Sequence, residues 1–472
     1  MDKSKLNDKN IGDLRDKKEK LPLDPENIPR YIPDIFGNLP YFMQIRRFLG
    51  ASLYKNAFFL MLNSSTTALL GFIAWIVISN TFDKEQVGLG SAIISATSLI
   101  STLSLLGFSV SIVRFLPSAT DRRLIINSSM TISTAAAFVI SIGFIAGLSW
   151  LSPSLLFLQK NYAYSAWVVI YVIGWTASML LDCVFIGLRK ASIVFLKNFI
   201  YSVIKIPLPL FFIQLGAIGI LFSWGISAYT ALFIGFAVYL YRIVGIRFPK
   251  PMIDRETIGE MFHFSIANYI AGLLGQATPL LLPILIINTL GAESTAYYYI
   301  SWMIATALFM IPGSVSSSLL AECSQEPKKM RLHTIKAFKF TYMLLIPSVF
   351  LVCIFASYIL SIFGRGYSEG AENIVRILAF SSLIYGANLI FVSARNVERK
   401  VISVILLNLI STIFTFLMGY ALMLRMGLSG VAFGWLIGQC FGLIYAIADH
   451  TYSAHINKKN TKNKKSKCQK DC

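Results

Sequence analysis

Long apolar runs alternate with short polar ones along this chain, and the runs are too long for the strands or buried helices of a water-soluble core. A helix that crosses a bilayer takes about twenty predominantly apolar residues. Twelve runs meet that length: 58–80, 88–116, 124–151, 163–187, 193–214 and 219–241 in the first half, then 264–290, 295–321, 338–363, 371–392, 401–424 and 430–449 in the second. The pattern predicts an all-α polytopic membrane protein with twelve transmembrane helices. The connections are short and leave no room for a catalytic domain outside the membrane.

Composition agrees. Of 472 residues, 56% are hydrophobic and 14% charged, too few charges to cover a soluble domain. The opening stretch, from "MDKSKLNDKNIGDLRDKKEK" to "FMQIRRFLG", mixes charge with prolines and lacks an early apolar core, so it reads as a cytoplasmic segment rather than a secretory signal. Lys and Arg fall on alternate connections. One set carries Arg114, Arg122 and Arg123; Arg189 and Lys190; Arg242, Arg247, Lys250 and Arg255; Lys328, Lys329, Arg331, Lys336 and Lys339; and Arg395, Arg399 and Lys400. The other carries only Lys84, Lys160, Arg365 and Arg425. Positive charge stays inside, which predicts a cytoplasmic membrane protein with both termini in the cytoplasm. The tail "NKKNTKNKKSKCQK" fits a solvated anchor near anionic headgroups, so the net charge of +19 reflects topology and implies no nucleic acid. Cys183, Cys323, Cys353 and Cys440 are scattered through apolar runs and Cys468 and Cys472 end the tail, a distribution of free thiols rather than a disulfide framework.

The two halves repeat. "GAIGILFSW" (216–224) returns as "GLSGVAFGW" (427–435), both G-x-x-G-x-x-F-x-W. "ISNTFDKEQVG" (78–88) aligns with "IINTLGAESTA" (286–296), pairing Asn80 with Asn288, Thr81 with Thr289 and Glu85 with Glu293. Arg189-Lys190 pairs with Arg399-Lys400, and Asn198 with Asn408. Six spans per half is an even number, so both copies enter the membrane from the same side and are parallel repeats about an axis along the membrane normal. Transporters so built hold substrate between the halves and rock one against the other. The expected organisation is a cytoplasmic segment 1–53, a six-helix lobe 54–245, a cytoplasmic linker 246–260, a second six-helix lobe 261–450 and a basic cytoplasmic tail 451–472. The repeated motif marks equivalent sixth and twelfth helices, with its glycines allowing close approach and its Trp in a packed or interfacial position.

"GFSVSIVRFLP" at the end of the second run, the polar-flecked first run "NAFFLMLNSSTTALLGFIAWIVISNTF" and "FVSARNVERK" after the tenth resemble the polysaccharide flippases of the multidrug/oligosaccharidyl-lipid/polysaccharide exporter superfamily, over roughly Leu53 to Asp449. The resemblance implies a V-shaped, two-lobed exporter that moves a lipid-linked oligosaccharide across the cytoplasmic membrane for surface polysaccharide or glycan synthesis, with membrane lipids and glycan-assembly enzymes as partners and no cofactor. Cation-coupled multidrug exporters of the same superfamily are the alternative. They commonly carry an acidic residue on the first helix, and 58–80 has none. The lipid II flippases carry two further helices and first-helix arginines, both missing here.

An ionisable side chain at bilayer depth faces protein or water. Lys205 lies roughly 18 Å along the fifth run from its cytoplasmic end, near the midplane, and Lys197 lies shallower on the same run. Asp182 in "SMLLDCVFIG" enters from the fourth. The resemblance makes Lys205, Lys197 and Arg114 candidate cations for a lipid pyrophosphate; the competing reading pairs Asp182 with Lys197 to lower the cost of burial. Arg114 and Glu322 occupy matched repeat positions with opposite charge, a candidate inter-lobe gate, against which stands a snorkelling Arg114 and a solvated Glu322. In the resembled family the first and seventh helices line the cavity. Asn63, Asn268 and Gln276 then suit passing sugar hydroxyls, or helix–helix contact, and Pro279 and Pro283 interrupt the seventh helix as a hinge. Metal-ligand spacing, a phosphate loop and paired catalytic carboxylates are lacking. A membrane-embedded glycan polymerase or glycosyltransferase keeps only Glu369 and Glu372, on a short outward connection, and no catalytic residue or metal ligand is assigned.

Overall fold

The computed structural model describes residues 52–245, 249–325 and 329–468, with the side chains of 52–54, 255–257, 321, 324–325 and 454–468 left aside. The N-terminal segment 1–53 therefore lies almost wholly outside the described residues, as do part of the linker 246–260 and the side chains of most of the tail. Ser52–Cys472 forms one compact unit. Among the described residues, twelve helices are long and apolar enough to cross a membrane. They are α1 (Ser52–Thr81), α2 (Lys84–Ser104), α3 (Arg122–Ala146), α4 (Tyr162–Gly187), α5 (Ala191–Lys205, carried across by a short turn to Phe211) and α6 (Ala217–Ile234). The second set is α7 (Arg255–Leu290), α8 (Ala292–Gln325), α9 (Met330–Ile354), α10 (Tyr367–Val397), α11 (Val401–Met426) and α12 (Leu428–Cys468). Twelve crossings bring both described ends to one face, here the terminal face.

The two halves repeat in packing as well as in sequence. In the first, α4 gathers α2, α3 and α6, and α1 lies on α5; in the second, α10 gathers α8, α9 and α12, and α7 lies on α11. Backbone detail repeats too. Arg189 and Arg399 both adopt left-handed φ, 57° and 58°, costly for a residue with a Cβ. Each closes a helix, with the next residue's N–H donating back to Phe185 O at 2.8 Å or Arg395 O at 2.9 Å. Gly216 and Gly427, which open the repeated motif, share φ of 55° and 59°. The lobes meet where α2 packs on α7 and α8. Accordingly 78% of the apolar stretch of α2 is buried, against 17% for α1.

Hydropathy missed the interruptions. The second run is not one helix: it stops at Ser104, turns through Leu106 (φ 49°) and Gly107 (φ 85°), and resumes as Phe108–Phe115. The break is stabilised from the other lobe, where Tyr269 of α7 donates its hydroxyl to Leu103 O at 2.7 Å and Ser111 donates to Met261 O at 2.7 Å. The fifth run breaks at Pro207, and the sixth widens into a π-helical stretch over Gly235–Leu240. Conversely, Pro279 and Pro283 do not interrupt α7, which runs unbroken through both. α11 is tied to α7 one to two turns before the prolines, where Asn408 Nδ2 donates to Ala271 O at 3.3 Å and Thr412 Oγ1 to Leu274 O at 3.2 Å. Helix α12 also continues well past Asp449 into the basic tail.

On the terminal face, buried Arg395 joins Glu398 and, at 2.7 Å, Asp449, while Lys400 reaches Glu398 at 3.0 Å. Burial pushes the Glu398 carboxyl up, but Lys400 and Arg395 more than offset it, so it is held below its usual range. A carboxyl depressed in the folded state contributes stability above its unfolded pKa, and that contribution is lost as pH falls through the folded value. Thermal unfolding followed from pH 7 to about 3.5 should therefore show a drop at the acid end that Glu398→Gln reduces. Removing the α11 donor, Thr412→Val, should cost about 0.5–1 kcal/mol, read as a lower unfolding midpoint in detergent.

Candidate functional site

Between the lobes lies a cavity of about 540 Å³, bounded by α1 and α2 on one side and α7 and α8 on the other. Its wall combines aromatic rings (Phe72, Trp75, Tyr299, Trp302) with hydroxyls (Ser65, Thr67, Ser95, Ser98, Thr306), and every other lining residue is apolar or glycine. Among the described residues, no charged side chain lines it. Toward the face opposite the termini it is shut by cross-lobe contacts: Trp75 packs on Tyr299 with ring centres 4.6 Å apart and Phe72 on Phe363 at 5.0 Å. Beyond them Lys84 reaches Glu293 at 3.3 Å and the Tyr297 hydroxyl at 2.8 Å. On the terminal side Ser64 and Ser65 of α1 and Asn268 and Gln276 of α7 are exposed.

Lys205 stands directly behind this wall. It ends α5, two residues before the Pro207 break, where the carbonyl end of the helix dipole favours a cation. It is buried and pairs with no carboxylate among the described residues. Its ammonium sits 4.8 Å from the ring centres of both Tyr201 and Trp224, a cation–π box in place of a counter-ion. Trp224 packs on Trp75 at 5.5 Å, so two rings separate the ammonium from the cavity. The repeated-motif Trp thus does different work in each lobe, because Trp435 donates its indole N–H to Ser381 at 3.0 Å.

Lys197 sits deeper inside the first lobe. It donates to Ser178 Oγ at 2.7 Å and pairs with Asp182 at 3.1 Å, as one of the two sequence readings has it. Asn198 bridges outward, donating to Asp182 at 3.1 Å and to Asn63 Oδ1 at 3.1 Å, so α1, α4 and α5 share one polar chain. The π-helical stretch of the sixth span begins beside it, with Leu181 and the Lys197 stem against Gly235. Asn198 was not singled out as a site residue, although its match with Asn408 marked it. Both asparagines tie the fifth or eleventh span to the first or seventh.

The remaining expected residues are spread apart. Lys205, Lys197, Arg114, Asn63, Asn268 and Gln276 lie outside the cavity lining in this conformation, while Pro279 forms part of it and Pro283 is buried just beyond. Arg114 lies over the Phe264 ring at 5.1 Å and Glu322 pairs with His333 at 2.9 Å, so the two are not joined here. Trp75, Tyr299 and Trp302 carried no signal in the sequence, because an aromatic residue in an apolar run is ordinary.

The chain is thus a multi-pass membrane protein whose two six-helix lobes enclose a cavity at their seam. The family model described as polysaccharide biosynthesis protein matches residues 53–320, and the MatE model matches 270–421. The first spans more than half of the sequence, and the chain belongs to that family. No curated protein matches it. Solved structures share the fold. The lipid II flippase MurJ in an inward closed conformation aligns with a TM-score of 0.70 at 13% identity, over 83% of this chain and 87% of that one. A multidrug resistance MATE family transporter of the MOP superfamily aligns in its inward-facing conformation with 0.65 at 15% identity (84% and 96%), and in an outward-facing conformation with 0.60 at 17% (86% and 96%). The protein is a multi-pass membrane protein of the polysaccharide biosynthesis protein family, with a fold shared with MATE transporters and MurJ.

Removing one member of the Lys197–Asp182 pair strands a buried charge, and Lys197→Met should cost about 3–5 kcal/mol. Adding Asp182→Leu should recover most of that loss, which a double-mutant cycle of unfolding free energies measures. Lys205→Met strands no carboxylate and should unfold near the wild-type midpoint.

Proposed function

We propose that the protein flips a lipid-linked oligosaccharide across the cytoplasmic membrane by alternating access, with both termini in the cytoplasm and the cavity loading from that side. The observation that carries this reading is the cavity's chemistry: rings and hydroxyls with no charge, backed by an uncompensated cation. Sugars present apolar C–H faces that stack on aromatic rings and hydroxyls that exchange hydrogen bonds with Ser and Thr. A pyrophosphate carries negative charge, and Lys205 behind the Trp75–Trp224 wall makes the low-dielectric interior positive toward it. The carrier's acyl chain has no need to enter and stays in the bilayer.

The superfamily's other reading, export of cationic drugs coupled to Na⁺ or H⁺, fits this lining less well. A cationic drug would meet no carboxylate in the cavity and a buried ammonium behind it. An embedded glycan-modifying enzyme fits less well again, since Glu372 is engaged with Arg376 one turn along α10.

The test is leaflet-resolved. In cells lacking the protein, lipid-linked oligosaccharide open to an impermeant probe from outside should be depleted, and wild-type protein should restore it. Trp75→Ala and Lys205→Ala should each restore it at least tenfold more slowly at equal membrane abundance. Unchanged leaflet distribution together with altered resistance to cationic drugs would overturn the flippase reading in favour of drug export.

A further inference from the structure

We propose that Asn80 and Asn288 form a reciprocal clasp that holds the lobes together at the face opposite the termini and sets how readily that face opens. This rests on the alternating-access reading above. The two asparagines are matched positions of the internal repeat, at the last turns of α1 and α7, and each reaches into the other lobe. Asn80 Nδ2 donates to Ile362 O at 2.9 Å, in the turn after α9. Asn288 Nδ2 donates to Leu151 O at 3.1 Å, and its Oδ1 accepts from Ser152 Oγ at 3.1 Å and from the Ser154 N–H at 3.4 Å, in the turn after α3. The offset that matches Asn80 to Asn288 also matches Ser154 to Ile362. The two crossings therefore fall at matched places in the two lobes, although Asn80 donates to the backbone there and Asn288 both donates and accepts.

Several features fit a joint that opens rather than a permanent weld. Both asparagines are exposed, so water replaces each bond at modest cost when the face parts. They fix register as well as contact, because one amide holds its own helix end and the opposite backbone together: Asn80 also donates to Ile76 O at 2.8 Å. Between them the lobes meet so closely that a side chain on Gly88 of α2 would strike the Ala292 carbonyl of α8. The neighbouring Lys84–Glu293 pair is made once only, since Ala292 stands at the repeat position of Lys84, and so it adds strength without the symmetry. The Arg114–Glu322 pair has no such contact on the other face.

The test uses the full chain without its native cysteines and with Thr306→Cys in the cavity, labelled by an impermeant maleimide from each side of the membrane separately. Asn80→Ala and Asn288→Ala should each raise labelling from the non-terminal face about fivefold, the double variant should exceed either, and labelling from the terminal face should fall. Labelling from the non-terminal face that the double variant leaves at the parental rate overturns the clasp. Absence of any labelling from that face in the parent and in all variants overturns alternating access itself, and an inverted orientation simply exchanges the two sides. A cross-link guards against a misfolded variant: oxidising a Ser152→Cys, Asn288→Cys pair should abolish labelling from the non-terminal face, with recovery on reduction. Labelling that persists through a completed cross-link also overturns the proposal.

Discussion

Hydrocarbon offers a polypeptide no hydrogen bonds, so any backbone group released inside the membrane has to find a partner within the protein. Helix interruptions are therefore possible only where another element brings a donor or acceptor, and here those places coincide with the functional architecture. The turn at Leu105–Gly107 is held by Tyr269 across the lobe boundary. Along α7, Asn408 and Thr412 of α11 donate to Ala271 O and Leu274 O and tie the two helices together. Each satisfied break also fastens two helices, so a local requirement of the solvent becomes the long-range order of the lobes.

Duplication supplies the scaffold, and departures from it supply the chemistry. The left-handed arginines, the glycines that open the repeated motif, the asparagines of the fifth and eleventh spans and the asparagines that cross between lobes all recur in pairs. The intramembrane charges do not. At the offset that matches Asn198 to Asn408, Lys205 corresponds to Thr415, Lys197 to Leu407 and Asp182 to Val392. One lobe carries a buried cation and a buried ion pair where the other carries neutral side chains, so a symmetric frame encloses an asymmetric field. The cavity sits at the seam, and its rings come from both halves.

Much of this was legible in the sequence, for identifiable reasons. Twelve crossings and their pairing into two parallel halves follow from apolar length and repetition, which few alternatives satisfy, while the Asp182–Lys197 pair was one of two readings that the cost of isolated charge left open. Interruptions within an apolar run were not legible: Leu105 and Leu106 are as hydrophobic as their neighbours, and only the packing of α7 reveals why the chain turns there. The prolines of α7 do not mark a break, since the helix runs continuously through Pro279 and Pro283. The cavity wall was hidden because Trp75, Tyr299 and Trp302 differ from core aromatics only in facing an opening. Trp224 read as packing, and Lys205 beside it turns that packing into a cation–π box.

The central claim is that two equivalent lobes rock about their seam, parting at one face as they meet at the other. Pulsed electron resonance distances test it most directly, with spin labels at exposed Lys160 and Glu369 for the non-terminal face and at exposed Lys190 and Ile402 for the terminal face. Addition of lipid-linked oligosaccharide should populate a longer distance in the first pair and a shorter one in the second, together and with the same substrate dependence. Distances that stay fixed, or that lengthen at both faces, would contradict the account.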